Sequence, residues 1–213
     1  CFLNEGYEIG SVGTVMPDVE VKIGENNEIL LRGKTITTGY YKKPEATAAA
    51  IDRNGWFHTG DAGYLKDSHL YLTERIKDLF KTSNGKYISP QALETKLAID
   101  RYIDQIAVIA DERKFVSALI VPVYGFVKDY AKEKGIAYSN MDELLQHPKI
   151  QALFRARIDT LQQQFAHYEQ VKRFTLLTEP FSMERGELTN TLKLKRSVVA
   201  KNYKGLIDKM YEE

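Results

Sequence analysis

The chain has 213 residues, 43% hydrophobic and 28% charged, a composition that supports a packed core and excludes a disordered polymer. Thirty basic and 29 acidic residues leave a formal charge of +1, so the balance points to no polyanionic partner and nucleic acid is not expected as one. Cys1, the single cysteine, excludes an intrachain disulfide, and no apolar run approaches the roughly 20 residues that span a bilayer. A cytoplasmic location is expected, with peripheral contact at a membrane surface as the most that the sequence allows.

The first part reads as strands. Val19, Val21 and Ile23 alternate with Asp18, Glu20 and Lys22. Residues 28–32 resume the pattern beyond Glu25-Asn26-Asn27, which predicts a hairpin. A short helix is expected over 45–52, entered through Pro44, whose fixed φ suits a first helical turn. Strands over 56–59 and 70–73 follow, punctuated by glycines. About 75 residues of short strands read as the end of a larger domain rather than a whole one.

From about Arg75 the pattern becomes mixed. Ser89-Pro90 reads as the cap and first position of a helix running to about Ile99. Strands at 106–110 and 116–121 flank an Asp111-Glu112-Arg113-Lys114 turn. Helices are expected over 127–134, over 142–146 with Asn140 as cap, and over 148–170. In the last of these Phe154, Ile158, Leu161 and Phe165 fall at helical spacing and read as a core-facing stripe. A strand at 174–178 and one closing helix at 197–211 complete the pattern.

Three stretches carry chemistry. Gly39-Tyr40-Tyr41-Lys42-Lys43-Pro44-Glu45 reads equally well as a strand end, a basic turn and a helix start. In Gly55-Trp56-Phe57-His58-Thr59-Gly60-Asp61 an aspartate follows a Thr-Gly turn at the end of an apolar strand. Such a carboxylate suits a pair of ribose hydroxyls, and Gly60 leaves the backbone open to a ligand; an Asp closing an ordinary turn is the plainer account. The third stretch runs from Thr73 to Lys86, with Arg75 ending a strand and Asn84-Gly85 forming a strong turn pair. A charge run of this kind is usually a solvated linker. His58, His69, His147 and His167 lack metal-ligand spacing, so packing or surface roles are expected of them and no metal site.

In their order and spacing, with Arg75 standing 14 residues after Asp61, these segments resemble the core motifs of the adenylate-forming superfamily. That family comprises acyl-CoA synthetases, luciferases and the adenylation domains of peptide synthetases. Glu187-Leu188-Thr189-Asn190-Thr191-Leu192-Lys193-Leu194-Lys195-Arg196 resembles its last motif. The helical insert over 123–171 and the Thr-Leu-Lys-Leu-Lys-Arg ending look like the long-chain fatty acyl branch. The likeness covers essentially the whole chain.

The resemblance implies an α+β fold. Residues 1–75 would be the end of a distorted β-barrel subdomain of the large AMP-binding domain. Residues 76–213 would be a small, mobile C-terminal domain with a short sheet and flanking helices. It implies a long-chain fatty acid–CoA ligase that uses ATP to convert a fatty acid to acyl-AMP, then transfers the acyl group to CoA and releases AMP. Asp61 matches the aspartate that holds both ribose hydroxyls, and Arg75 the arginine that contacts the same ribose. Lys77 occupies the hinge position, and Lys193 matches the lysine that approaches the α-phosphate and the substrate carboxylate. Lys81 and the Asn84-Gly85-Lys86 loop fall on the CoA side.

The last motif departs from the commoner pattern, because Asn190 stands where long-chain members often have Pro and Leu192 replaces Gly. Lys195 therefore remains a rival to Lys193. The family's phosphate-cradling loop and its Tyr-Gly-x-Thr-Glu segment, which is associated with Mg2+, are not in this sequence. The chain is thus expected to act with an N-terminal domain of the same protein and to be inactive alone. A ligase for aryl or amino acids, or a non-catalytic interaction module on the same scaffold, are the alternatives.

Overall fold

In the computed structural model, residues 8–212 are described. The chain divides into two compact units, Cys1–Leu79 and Phe80–Glu213. The first is strand-rich and the second mixes helices with a short sheet, so the expected α+β class holds.

The first unit contains β1 (Gly13–Thr14), β2 (Val19–Ile23), β3 (Glu28–Gly33), α1 (Pro44–Ala50), β4 (Phe57–Lys66) and β5 (His69–Arg75). The strands form one antiparallel sheet in the order β1-β5-β4-β3-β2. The β2–β3 hairpin turns where expected, with Asn26 and Asn27 at positive φ, a conformation that asparagine tolerates better than most residues. The β4–β5 hairpin turns through Asp67 and Ser68, both also at positive φ, which matches the right-handed strand twist. A single 3-10 turn, Ile76–Asp78, follows β5.

The second unit opens with a small hairpin, β6 (Phe80–Lys81) and β7 (Tyr87–Ile88). It continues through α2 (Pro90–Leu97), β8 (Ile103–Ile109), β9 (Val116–Pro122), α3 (Tyr124–Glu133), α4 (Met141–Gln146) and α5 (Pro148–Leu161). β10 (Val171–Leu176), α6 (Arg196–Asn202) and α7 (Lys204–Lys209) end it. Local capping explains two helix starts: Ser89 Oγ accepts from Ala92 N–H at 3.2 Å, and Asn140 Oδ1 from Glu143 N–H at 2.9 Å. The sheet order is β10-β9-β8, with β9 antiparallel to β8 and parallel to β10. Every residue of β9 is buried. Val116, Ala118 and Ile120 join one cluster with residues from α2 to α5, while Leu119 and Val121 join another with Val199, Ile207 and Met210.

Three sequence expectations are corrected. The helix expected over 148–170 stops at Leu161. Gln162 is buried, and its side-chain amide accepts from Val171 N–H at 2.8 Å, so the chain turns to begin β10 instead of continuing. Phe165 still packs against the core, but from beyond the helix. The closing helix expected over 197–211 is two helices broken at Tyr203, whose ring meets Phe181 edge-on at 5.7 Å. The third correction concerns Thr59-Gly60-Asp61, which lies inside a ten-residue strand and not at a turn.

Candidate active-site elements

Pairing with β3 shows what the Thr-Gly-Asp segment does. Glu28 stands opposite Ala62 and Leu30 opposite His58, so Ile29 alone faces Thr59, Gly60 and Asp61. The segment is therefore a bulge in β4, and its backbone groups cannot all find ladder partners. Side chains supply them. Thr59 Oγ1 donates to the Ile29 carbonyl at 2.7 Å and accepts from Asp61 N–H at 3.1 Å. Gly60 N–H donates to Glu28 Oε1 at 3.0 Å, and Glu28 Oε2 lies 2.8 Å from His58 Nδ1. Gly60 has φ +71, and a Cβ there would meet nothing within 4 Å, so glycine answers a conformational demand and not a crowded one.

A second irregularity brings Asp61 to Arg75. The β4–β5 ladder is regular from Lys66↔His69 to Gly63↔Leu72, and then Ala62 faces Glu74 and Asp61 faces Arg75. Continued without a shift, the ladder would set Ala62 against Thr73 and Asp61 against Glu74, a like-charge pair. The one-residue shift at Thr73 replaces repulsion with an ion pair, Arg75 Nε to Asp61 Oδ1 at 3.1 Å. The carboxylate is one-third exposed and the guanidinium largely so. Both retain donors or acceptors for a further polar group. Lys77 is exposed in the 3-10 turn that follows, two residues before the division between the units.

Lys81 and Gly85 belong to the second unit. Its opening hairpin is closed by Thr82 N–H to the Lys86 carbonyl at 2.9 Å and by Gly85 N–H to the Thr82 carbonyl at 2.8 Å, with Gly85 at φ +74. Backbone bonds from Ser83 N–H to Arg113 O (3.1 Å) and Glu112 N–H to Lys81 O (2.8 Å) dock it on the β8–β9 turn. Lys81 Nζ lies 5.8 Å from the centre of the Tyr87 ring.

Lys193 sits on a tight hairpin. Leu188 and Leu194 form an isolated antiparallel bridge, Thr189 N–H donates to the Lys193 carbonyl at 2.8 Å, and Lys193 N–H returns to Thr189 Oγ1 at 3.0 Å. The tip needs a left-handed residue, and Leu192 takes that role at φ +60, which explains physically why glycine is the commoner choice there. Leu194 turns inward to the second cluster, while Lys193 and Lys195 are both exposed. Lys193 makes no ion pair or side-chain hydrogen bond among the described residues of its unit. Lys195 stands at the hairpin base, its N–H donating to the Glu187 carbonyl at 2.7 Å.

Two carboxylates that sequence reasoning missed hold this hairpin. Glu187 is fully buried and receives Ser182 N–H at 3.0 Å, Arg185 Nε at 3.1 Å and Asn202 Nδ2 at 3.1 Å. Burial by itself would raise its pKa, but these hydrogen bonds outweigh it and hold the carboxyl below its ordinary value. Beyond Lys195, Arg196 pairs bidentately with Glu94 at 2.6 Å and 2.6 Å, and Glu94 Oε1 also accepts Val108 N–H at 2.8 Å. Glu187 lies in the last motif itself beside its partners, whereas Glu94 stands 102 residues from Arg196 and has no local signal. Among the described residues no group of three or more His, Cys, Asp or Glu is placed to hold a metal ion. None of their helices is long and apolar enough to cross a membrane.

Residues 77–213 match the AMP-binding enzyme C-terminal domain family. The chain is 34% identical to the peroxisomal long chain acyl-CoA synthetase 7 of Arabidopsis thaliana, over 96% of its own length and 32% of that protein's. It is 32% identical to the long-chain-fatty-acid–CoA ligase FadD15 of Mycobacterium tuberculosis, over 97% of the chain and 34% of the relative. The chain thus spans about a third of the length of the curated relatives it matches. Among solved structures, the adenylation domain of a carboxylate reductase from Mycobacterium chelonae shares the fold with a TM-score of 0.71 at 24% identity, covering 94% of this chain and 32% of that one. The O-succinylbenzoate coenzyme A synthetase of Bacillus subtilis, in complex with AMP, does so with a TM-score of 0.56 at 23% identity, covering 89% and 35%.

Leu192→Gly is expected to stabilise the second unit by about 0.5–1 kcal/mol, because it relieves a strained backbone without removing a buried side chain. A lowered midpoint in thermal unfolding would contradict this. Glu187, with its folded pKa depressed, contributes stability that is present above the unfolded value of about 4.3 and lost as pH falls through the folded one. Acid unfolding of the second unit should therefore steepen below about pH 4.3, and Glu187→Gln should flatten that dependence.

Proposed function

The chain belongs to the AMP-binding, adenylate-forming enzyme family, and from that premise we propose that it is part of a long-chain fatty acid–CoA ligase. The reaction has two steps. A fatty carboxylate attacks the α-phosphorus of ATP, pyrophosphate leaves, and acyl-AMP forms. The CoA thiol, giving up its proton, then attacks the acyl carbon and AMP leaves. The observation that carries this reading is the Asp61–Arg75 pair, a part-exposed acceptor and an exposed donor held on two registered strands. The names of the relatives at 32–34% identity support the fatty acyl substrate.

Each residue has a physical part. The Asp61 carboxylate accepts from the ribose hydroxyls, and Arg75 both orients it and faces the same sugar. Adenylation brings two anions together and spreads charge over the phosphoryl oxygens. The Lys193 ammonium, exposed and unengaged within its unit, is the compact cation that such a step needs. It has no task in thiolysis, so a swing about Lys77 that removes it costs the second step nothing. Lys81 and the Gly85 turn serve that second arrangement on the CoA side. ATP and CoA are substrates in this scheme. Mg2+ accompanies ATP in the family, and no described residue is assigned to it.

The test uses the full-length protein in ATP–pyrophosphate exchange. Lys193→Ala should lower exchange by roughly 100-fold or more and spare thiolysis of supplied acyl-adenylate. Lys77→Pro should show the reverse. Equal loss of both half-reactions in Lys193→Ala would argue against the assignment, and the expected pattern appearing in Lys195→Ala would move the role to Lys195.

A further inference from the structure

We propose that Glu28 is the positioning residue of the nucleotide clamp: its carboxylate, bound to Gly60 N–H, fixes the bulge that aims Asp61 at the ribose. The inference rests on the reading of Asp61 given above and adds a residue 33 positions away in sequence, placed to act through Asp61.

A bulge that sets three residues against one has several ways to arrange its surplus backbone. Gly60 makes the ambiguity worse, because glycine reaches positive and negative φ with similar ease. Something outside the bulge must select the conformer with Gly60 at φ +71, since Asp61 follows directly and its Cα–Cβ direction turns with that peptide. Thr59 ties only the two ends, through Ile29 O and Asp61 N–H. The central N–H belongs to Gly60, and Glu28 takes it at 3.0 Å.

Glu28 is suited to this by its own surroundings. Its side chain is 18% exposed, so it is largely sheltered from competing water. The second oxygen is held 2.8 Å from His58 Nδ1, which fixes the carboxylate plane. Opposite Ala62 in the ladder, the residue reaches the bulge across the strand pair, and the chain length of glutamate sets that reach. Aspartate would withdraw the carboxylate by one methylene. Glutamine keeps an acceptor for Gly60 N–H and offers a donor to a neutral His58.

The readout is discrimination between ATP and its 2′-deoxy and 3′-deoxy analogues in ATP–pyrophosphate exchange by the full-length protein. A carboxylate aimed at both hydroxyls should make the wild-type kcat/KM ratio roughly 10- to 100-fold. Glu28→Ala should bring that ratio to within a few-fold of one and raise KM for ATP, whereas Glu28→Gln should restore most of the ratio. A purely structural role would lower the rate with all three nucleotides together and leave the ratio intact, which would overturn the proposal. If Glu28→Ala does not fold, Glu28→Asp carries the same comparison, since it keeps the charge and loses only the reach. Asp61→Ala separates the two readings. Loss of discrimination there but not in the Glu28 variants defeats the positioning role alone, while its persistence in Asp61→Ala defeats the ribose assignment and the positioning role with it.

Discussion

Strand β9 is buried on both faces, and its two-residue period decides how the second unit is built. Val116, Ala118 and Ile120 face the cluster made with α2 to α5, while Leu119 and Val121 face α6 and α7. A strand in this position can bear no charge on either face, and its single polar side chain, Ser117, is bonded to Tyr211 Oη at 2.8 Å. Burial of this kind supplies the bulk of the stabilisation, at about 25 cal/mol per Å2 of apolar surface. The second face has a further consequence. Leu188 and Leu194, the bridge pair of the Lys193 hairpin, pack on that same cluster, so the position of the lysine is referred to the core of its unit.

Both candidate elements are places where regular pairing fails and side chains complete the backbone. In the first unit, Glu28 and Thr59 serve the N–H and C=O groups that a three-against-one bulge leaves over. In the second, Thr189 Oγ1 takes Lys193 N–H in a hairpin with only one bridge, and the Glu187 carboxylate takes Ser182 N–H in the loop before it. Irregular backbone held by buried or half-buried carboxylates gives a polar group a fixed direction without enclosing it. That combination suits residues that must meet a ligand arriving from solvent.

Much of this was legible in the sequence because it is local. The β2–β3 alternation, the Ser89 and Asn140 caps and the Asn84-Gly85 turn each depend on neighbours within a few residues. What escaped depends on partners far along the chain. The end of α5 is set by Gln162 bonding to Val171, nine residues on, and periodicity alone carried the helix too far. Gly60 read as opening the backbone of a turn to a ligand; its positive φ belongs instead to a bulge, and only the β3 register separates bulge from turn. Order and spacing related Asp61 to Arg75 across two motifs; the shift at Thr73 that sets them face to face has no residue-type signature.

The Glu94 carboxylate has a role unrelated to chemistry. β8 is an edge of its three-stranded sheet, and an edge with free N–H groups is a template on which another chain can add a strand. Glu94 occupies Val108 N–H on that edge and places a charge beside it, with Arg196 supplying the opposite charge from α6. The same carboxylate that seats the last motif thus guards the sheet against self-association, and its loss would show first as aggregation in solution.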